Sequence, residues 1–258
     1  MSCYVPIPEY YNKFLITSPE LVNLLCYPKF SVSDYGDRMK DLASLDIKFL
    51  FLEGDTIVNN ANIVGKGCEG LVFKVENDKS DRMALKVKRT DSCRLSMKNE
   101  FDLYMAANKI RIGPKVHSCT DNLLLMDLVD GISVYDWFSK TNLDPCSIKS
   151  VAIDVLTQCF VLDEINLDHG QLNRLNNHVI VSPDDLSCTI IDFESASQHR
   201  KVSNLTTAFQ ALFFKGTISK QISKFIDYEN KKKDFMKLLK IYKDSICRES
   251  FDSIISLI

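Results

Sequence analysis

The sequence predicts an α+β chain of two lobes: a small antiparallel-sheet lobe carrying one helix, then a reduced and mainly helical lobe. Three observations predict it. From Thr56 to about residue 128, short β-type runs alternate with Gly and Asn/Asp turns around a single helical pattern. Beyond Asp130-Gly131 the apolar residues fall at helical spacing instead. Apolar residues make up 45% of 258 positions and charged residues 26%, enough to bury a sizeable core in an ordinary globular chain. The expected boundaries are an N-terminal helix-and-strand extension over 1–55, the sheet lobe over 56–128 and the helical lobe over 129–258.

The elements follow in order. Ser18-Pro19-Glu20 before Leu21, Val22, Leu24 and Leu25 reads as a helix start, with Ser18 as cap and Pro19 in the first turn. A second helix is expected over Tyr35 to Leu45, with Asp34 near its cap, and a strand over Lys48 to Leu52. Ile57 to Val64 and Leu71 to Val75 read as a hairpin around a Gly-rich turn, and Met83 to Val87 as a third strand after a second turn. Leu95, Met97, Phe101, Tyr104 and Met105 mark a helix, and two further strands cover Val116 to His117 and Leu123 to Met126. In the helical lobe, Cys146 to Leu162 is the apolar central helix. Strands over Val179 to Val181 and Thr189 to Ile191 flank the turn Ser182-Pro183-Asp184-Asp185, and helices are expected near 204–214, 218–227, 232–244 and 248–257. The run Lys231-Lys232-Lys233 reads as a solvated face.

Five features carry chemistry. Gly65-Lys66-Gly67-Cys68-Glu69-Gly70-Leu71-Val72 matches GxGxxGxV, a loop whose backbone can approach phosphates and point its amides at them. Alone, it describes a plain tight hairpin equally well. Lys86 stands on the third strand in Met83-Ala84-Leu85-Lys86, with Lys88 alternating to the same face, and Glu100 falls on the following helix as an ion-pair partner. Met126-Asp127-Leu128-Val129 ends an apolar strand ahead of Asp130-Gly131. His169-Gly170-Gln171-Leu172-Asn173-Arg174-Leu175-Asn176 has the frame H-x-x-L-x-x-x-N. A strand, a turn and a strand then lead to Asp192-Phe193-Glu194, so that Asn176 and Asp192 offer the oxygen ligands that Mg2+ prefers.

This order, over roughly residues 56 to 200, resembles the protein-kinase superfamily, and most of all its compact atypical branch: the RIO kinases, the KEOPS-complex kinases and predicted archaeal Ser/Thr kinases with an HGQL loop. The resemblance implies ATP and Mg2+ as cofactors. It makes Gly65, Gly67, Gly70 and Val72 the phosphate loop and Lys86–Glu100 the orienting pair. The backbone of Asp127 and Val129 would face adenine, with Met126 behind it, and Asn176 and Asp192 would hold metal. His169 and Gln171 join Lys86 and Glu100 as catalytic-loop candidates. Three departures stand out. Gln171 occupies the place of the Asp that receives the substrate proton, Glu194 replaces the Gly of Asp-Phe-Gly, and no Ala-Pro-Glu follows. Asp168 or Glu194 could stand in as an acid or base, although Asp168 also reads as a solvated loop residue.

Composition excludes other classes. The net charge of −2 draws no nucleic acid by a global field. Nine cysteines, an odd number without a CxxC pair, read as reduced and mostly buried thiols, and the four histidines lack HExxH spacing. The N-terminus lacks a signal-peptide pattern and no apolar run nears the roughly 18 residues of a spanning helix, so a cytoplasmic protein without a membrane partner is expected. Three functions fit: an atypical Ser/Thr kinase acting on a protein hydroxyl, its own included; a catalytically impaired, ATP-dependent scaffold; and an ATPase or small-molecule kinase on the same fold. The protein substrate or partner is unidentified at this level.

Overall fold

A computed structural model describes residues 12–140, 142–225, 228 and 230–258. The expectations for the first eleven residues, Cys3 among them, and for positions 226 and 227 lie outside the described residues. The chain forms two compact units, one of residues 1–102 and 115–128, the other of 103–114 and 129–258.

The first unit is built on a seven-stranded antiparallel sheet. Its elements are β1 Lys13–Leu15, α1 Val22–Leu25, α2 Val32–Ser44, β2 Ile47–Phe51, β3 Thr56–Val58, β4 Ala61–Ile63, β5 Gly65–Lys66, β6 Gly70–Asn77, β7 Arg82–Lys88, α3 Lys98–Asn108, β8 Val116–Cys119 and β9 Leu123–Asp127; the unit boundary falls inside α3. The sheet order is β1-β2-β6-β7-β9-β8, with β5 also pairing β6, while β3 and β4 form a separate hairpin. The expected single hairpin over 57–75 is thus two, and the Gly-rich turn belongs to β5–β6. The β6–β7 turn is fixed by the Asn77 side chain, whose Oδ1 accepts from the Lys79 and Asp81 amides, both at 2.9 Å. Such Asx turns leave no buried backbone donor stranded.

The N-terminal stretch shares this core. Leu21, Leu24, Leu25, Leu42, Ile47 and Leu50 form one buried cluster with Phe73, Val75, Leu85, Val87, Leu123 and Leu125. Ser18 makes no capping bond; Pro19–Leu21 is a 3-10 turn that leads into α1. The cap of α2 is Ser31 rather than Asp34, since the Ser31 hydroxyl accepts from the Asp34 amide at 3.0 Å and in turn donates to the Asp34 carboxylate. From α2, the buried Arg38 donates to the Lys88 carbonyl at 2.7 Å.

The second unit continues with β10 Ile132–Ser133, α4 Val134–Phe138, α5 Pro145–Glu164, α6 Leu175–His178, β11 Val179–Val181, β12 Cys188–Ile190, α7 Asn204–Phe209, α8 Gly216–Ile222, α9 Lys232–Asp244 and α10 Arg248–Ile255. The strands make a small sheet in the order β10-β11-β12. The central helix α5 starts at Pro145 behind an Asp144 cap and buries nine side chains. By length and composition alone α5 could cross a membrane, but it packs on α7 and β12 as a core helix. The helix expected over 204–214 divides, because α7 widens into a π-helix over Gln210–Phe214. Phe213 of that segment stacks on Phe235 of α9, and Phe209 at the end of α7 meets the same ring at a tilt. The expectation of mostly buried cysteines is corrected: all eight described are free, but only Cys26, Cys159 and Cys188 are buried, while Cys68, Cys93 and Cys146 lie on exposed turns or the first turn of a helix.

Candidate active-site residues

In the first unit the Gly-rich turn is closed by the Gly67 amide donating to the Gly70 carbonyl at 2.8 Å. Register places Val72 opposite Lys86. None of Gly65, Gly67 and Gly70 has positive φ, so conformation alone does not explain them. Close approach explains Gly70: a Cβ there would lie 3.0 Å from Lys86 Cγ and 3.1 Å from the Val87 carbonyl oxygen. A Cβ at Gly65 would meet only Val72, at 3.9 Å.

Beneath Gly70, Lys86 Nζ lies 2.8 Å from Glu100 Oε1, with both residues buried. A buried pair of this kind is held by its geometry, since either charge left alone would be strongly penalised. The other carboxylate oxygen of Glu100 is 3.3 Å from Arg94, which also reaches Glu69 of the turn at 4.0 Å. The Ser92 hydroxyl donates to the same Glu69. This chain of charges links the turn to α3, and sequence reading missed Arg94 and Ser92 because they stand in an irregular segment without a motif. Lys88, on the same face, instead donates to the Leu95 carbonyl at 2.8 Å, and burial holds its pKa below the usual lysine value. Of the two alternating lysines, Lys86 is the one with a buried carboxylate.

Met126 is buried at the end of β9. The Asp127 N–H donates to the Lys115 carbonyl at 2.8 Å and its carboxylate pairs with His117 at 2.5 Å. Val129 follows, half-buried, at the start of the second unit.

In the second unit a buried network fixes the start of the catalytic-type loop. The Asp163 carboxylate of α5 accepts from the Asn204 amide and side chain, from the Leu205 amide and from the Tyr242 hydroxyl, at 2.9 to 3.1 Å. Burial raises the Asp163 pKa against these hydrogen bonds. Asn204 then accepts the His169 amide at 2.8 Å and donates to the Leu167 carbonyl. His169 itself is fully buried between His178 and Phe193, with Nε2 3.0 Å from the Ile191 carbonyl. Burial pushes its pKa down to about 4. The ring is therefore neutral near pH 7 and donates through Nε2, which suits a positioning residue better than a proton carrier.

Asp168 is not a solvated loop residue. It is 3% exposed; Oδ2 is 2.5 Å from Arg200 Nε and Oδ1 accepts the Ser203 amide at 3.0 Å. With both oxygens engaged it is not available as a substitute base. Gly170 adopts φ +85°, a conformation that favours glycine, and a Cβ there would fall 2.8 Å from the Ser195 carbonyl oxygen and against the Arg200 guanidinium. Gln171, half-buried, opens the 3-10 turn Leu172–Arg174, its carbonyl accepting the Arg174 amide at 2.9 Å.

Asn176 is exposed on α6, and its Nδ2 donates to Asn177 Oδ1 at 2.8 Å, leaving its own Oδ1 for a cation. Asp192 holds φ +68°, a left-handed conformation worth about 1–2 kcal/mol of strain in a non-glycine residue. It is held there by its amide, which donates to the Tyr104 hydroxyl at 2.8 Å, and by Phe193, buried against Tyr104 and His169. Its carboxylate lies 3.7 Å from His178 Nδ1. Glu194, in the place of the usual glycine, is buried. Among the described residues no group of three or more His, Cys, Asp or Glu is arranged for a metal. One carboxylate and one amide oxygen nevertheless fit Mg2+, which keeps waters and takes substrate phosphate oxygens for its remaining positions.

A β-sheet unit with a buried Lys–Glu pair under a glycine turn, and a helical unit with an Asn-ended loop and a strained Asp-Phe, define the class of atypical, kinase-like phosphotransferases. The RIO domain model matches residues 71–211, more than half of the chain, and the chain belongs to the RIO domain family. RIO domains are ATP-binding and kinase-like, and generally work with ATP and Mg2+. The match spans Lys86, Glu100, His169, Gln171, Asn176 and Asp192 but begins just after the glycine turn. Comparison with curated proteins returned no match.

Proposed function

We propose that this RIO domain is an atypical Ser/Thr protein kinase that binds Mg-ATP in the cytoplasm and transfers its terminal phosphate to a protein hydroxyl, its own included. The observation that carries this reading is the buried Lys86–Glu100 pair at 2.8 Å beneath Gly70, where no side chain stands between the turn and the lysine. Lys86 would hold the phosphates, Asn176 and Asp192 would hold Mg2+, and the bound metal would supply charge neutralisation. Phosphoryl transfer depends chiefly on such positioning and charge, so the reading survives the loss of a base.

A second reading has its own observation. Gln171 can accept a hydrogen bond from a substrate hydroxyl but cannot take its proton, and Asp168 is committed to Arg200 and Ser203. A missing general base typically costs about 10²–10⁴-fold in rate. That supports a scaffold that binds ATP and turns it over slowly, if at all. The two readings share the nucleotide and differ in transfer. A thermal-shift titration with ATP, with and without Mg2+, on wild type, Lys86→Ala and Asp192→Ala tests the shared part. Ligand at 100 times Kd stabilises by about 2.7 kcal/mol. A metal-dependent shift lost in both variants supports it, and no shift in wild type at millimolar Mg-ATP sinks both readings. Labelled-phosphate transfer to the chain or to cellular proteins then separates the kinase from the scaffold.

A further inference from the structure

Two cavities of the second unit open on opposite ends of the loop that carries Gln171. The first, about 310 Å³, is lined by Asp168, Gly170 and Leu172 of the loop and by Arg200 and Lys201. The second, about 290 Å³, is lined by Asn173 and Asn176 of the loop and by Tyr135, Lys215 and Thr217. Each has room for one or two side chains. The one carboxylate among the lining residues, Asp168, is paired with Arg200 at 2.5 Å, which leaves Lys201 and Lys215 as the two cations without an acid in either lining. Arg174 is exposed on the loop itself, between Asn173 and Leu175 of the second lining. This concentration of positive charge stands out in a chain of net charge −2.

We propose that these two cavities dock an acidic segment of a protein substrate, with Asp or Glu side chains on either side of the acceptor hydroxyl. Exposed Lys201 and Lys215 provide the complementary charge, while the amide of Asn173 and the hydroxyl of Thr217 give the carboxylates donors that a bare positive field lacks. A protein segment fits better than nucleic acid. Strand binding relies on aromatic platforms for base stacking, and Tyr135 is the single aromatic side chain lining either cavity. The inference deepens the kinase reading by naming its substrate class.

The test uses the full chain and two labelled peptides with a central serine, one flanked by Glu and Asp, the other carrying Lys at the same positions. Binding is followed by fluorescence anisotropy over a salt series. The acidic peptide is expected to bind at least about tenfold tighter, with the preference fading as salt rises. The double variant Lys201→Glu/Lys215→Glu should abolish the preference while keeping the melting temperature and the Mg-ATP thermal shift of wild type. Arg200 is left in place because it latches Asp168. Equal binding of the two peptides, an unchanged preference in the double variant, or an oligouridine binding tenfold tighter than the acidic peptide would overturn the proposal. Acidic-peptide preference in a chain that shows no Mg-ATP shift would sink the kinase reading and leave the docking surface standing.

Discussion

The two units treat their charged residues differently. In the first, Lys86 and Glu100 are buried against each other with polar ends directed at one task, and Arg94 and Glu69 extend the chain of charges to the glycine turn. In the second, the carboxylate nearest the catalytic-type loop, Asp168, is spent on structure, and the position of the base is a glutamine. The difference teaches that binding and turnover are separable in this chain. The residues proposed to hold a nucleotide are built into the sheet of one unit; in the other, the usual place of the base holds Gln171 and Asp168 is engaged by Arg200 and Ser203.

The largest effect expected is on the buried pair. Glu100→Ala leaves Lys86 charged and buried, and should lower stability by about 3–5 kcal/mol in denaturant unfolding. The double variant Lys86→Met/Glu100→Leu should recover most of that loss while still abolishing the Mg-ATP shift. A double variant as unstable as the single one would mean that packing around α3, not charge, holds this region.

The next effect belongs to the second unit and depends on pH. His169 titrates at about 4 in the fold against 6.5 for an exposed imidazole, because burial disfavours its charged form. The unfolded chain therefore binds more protons between these values. This contribution is fully present above pH 6.5 and is lost as pH falls toward 4. The gap between the two values corresponds to about 3 kcal/mol. His169→Gln keeps a donor for the Ile191 carbonyl and removes the titration, so its unfolding free energy should fall less steeply between pH 6.5 and 4 than that of wild type. Identical slopes would place the acid sensitivity elsewhere.

Restoring the base tests the separation directly. Gln171→Asp should raise labelled-phosphate transfer by about 10²-fold with little change in the concentration of Mg-ATP that gives half the thermal shift. A rise in nucleotide affinity without a rise in transfer would show that Gln171 serves binding instead.

Much of this was legible in the sequence, for physical reasons that vary by residue. The Lys86–Glu100 pairing could be read because the lysine sits on the strand after a glycine turn and the glutamate on the helix that follows. The α9 range was readable because apolar Phe235, Leu239 and Tyr242 keep one buried helical stripe. Asp163, Asn204 and Tyr242 could not be seen as a network, since their bonds span from 35 to 79 residues of chain and no local pattern announces them. Asp168 failed for the same reason: solvation was the local reading, while Arg200 and Ser203 come from far along the chain. His178 beside Asp192 gave no signal either, being an ordinary residue at a helix end.

The smallest effect separates two serines that look alike in sequence. Ser18 and Ser31 both precede helical patterns, but only Ser31 accepts an amide hydrogen bond, and only its helix sends Arg38 to the Lys88 carbonyl, two residues from Lys86. Ser31→Ala should cost about 1 kcal/mol of stability and Ser18→Ala close to nothing. If the first fifty residues belong to the same cooperative core as the sheet, as the shared cluster of Leu21, Leu42 and Leu50 with Phe73 and Leu85 requires, the Ser31→Ala loss appears in a single unfolding transition of the first unit. A separate early transition, lost on removing residues 1–55, would instead make that stretch an independent cover, with the Lys86–Glu100 region standing without it.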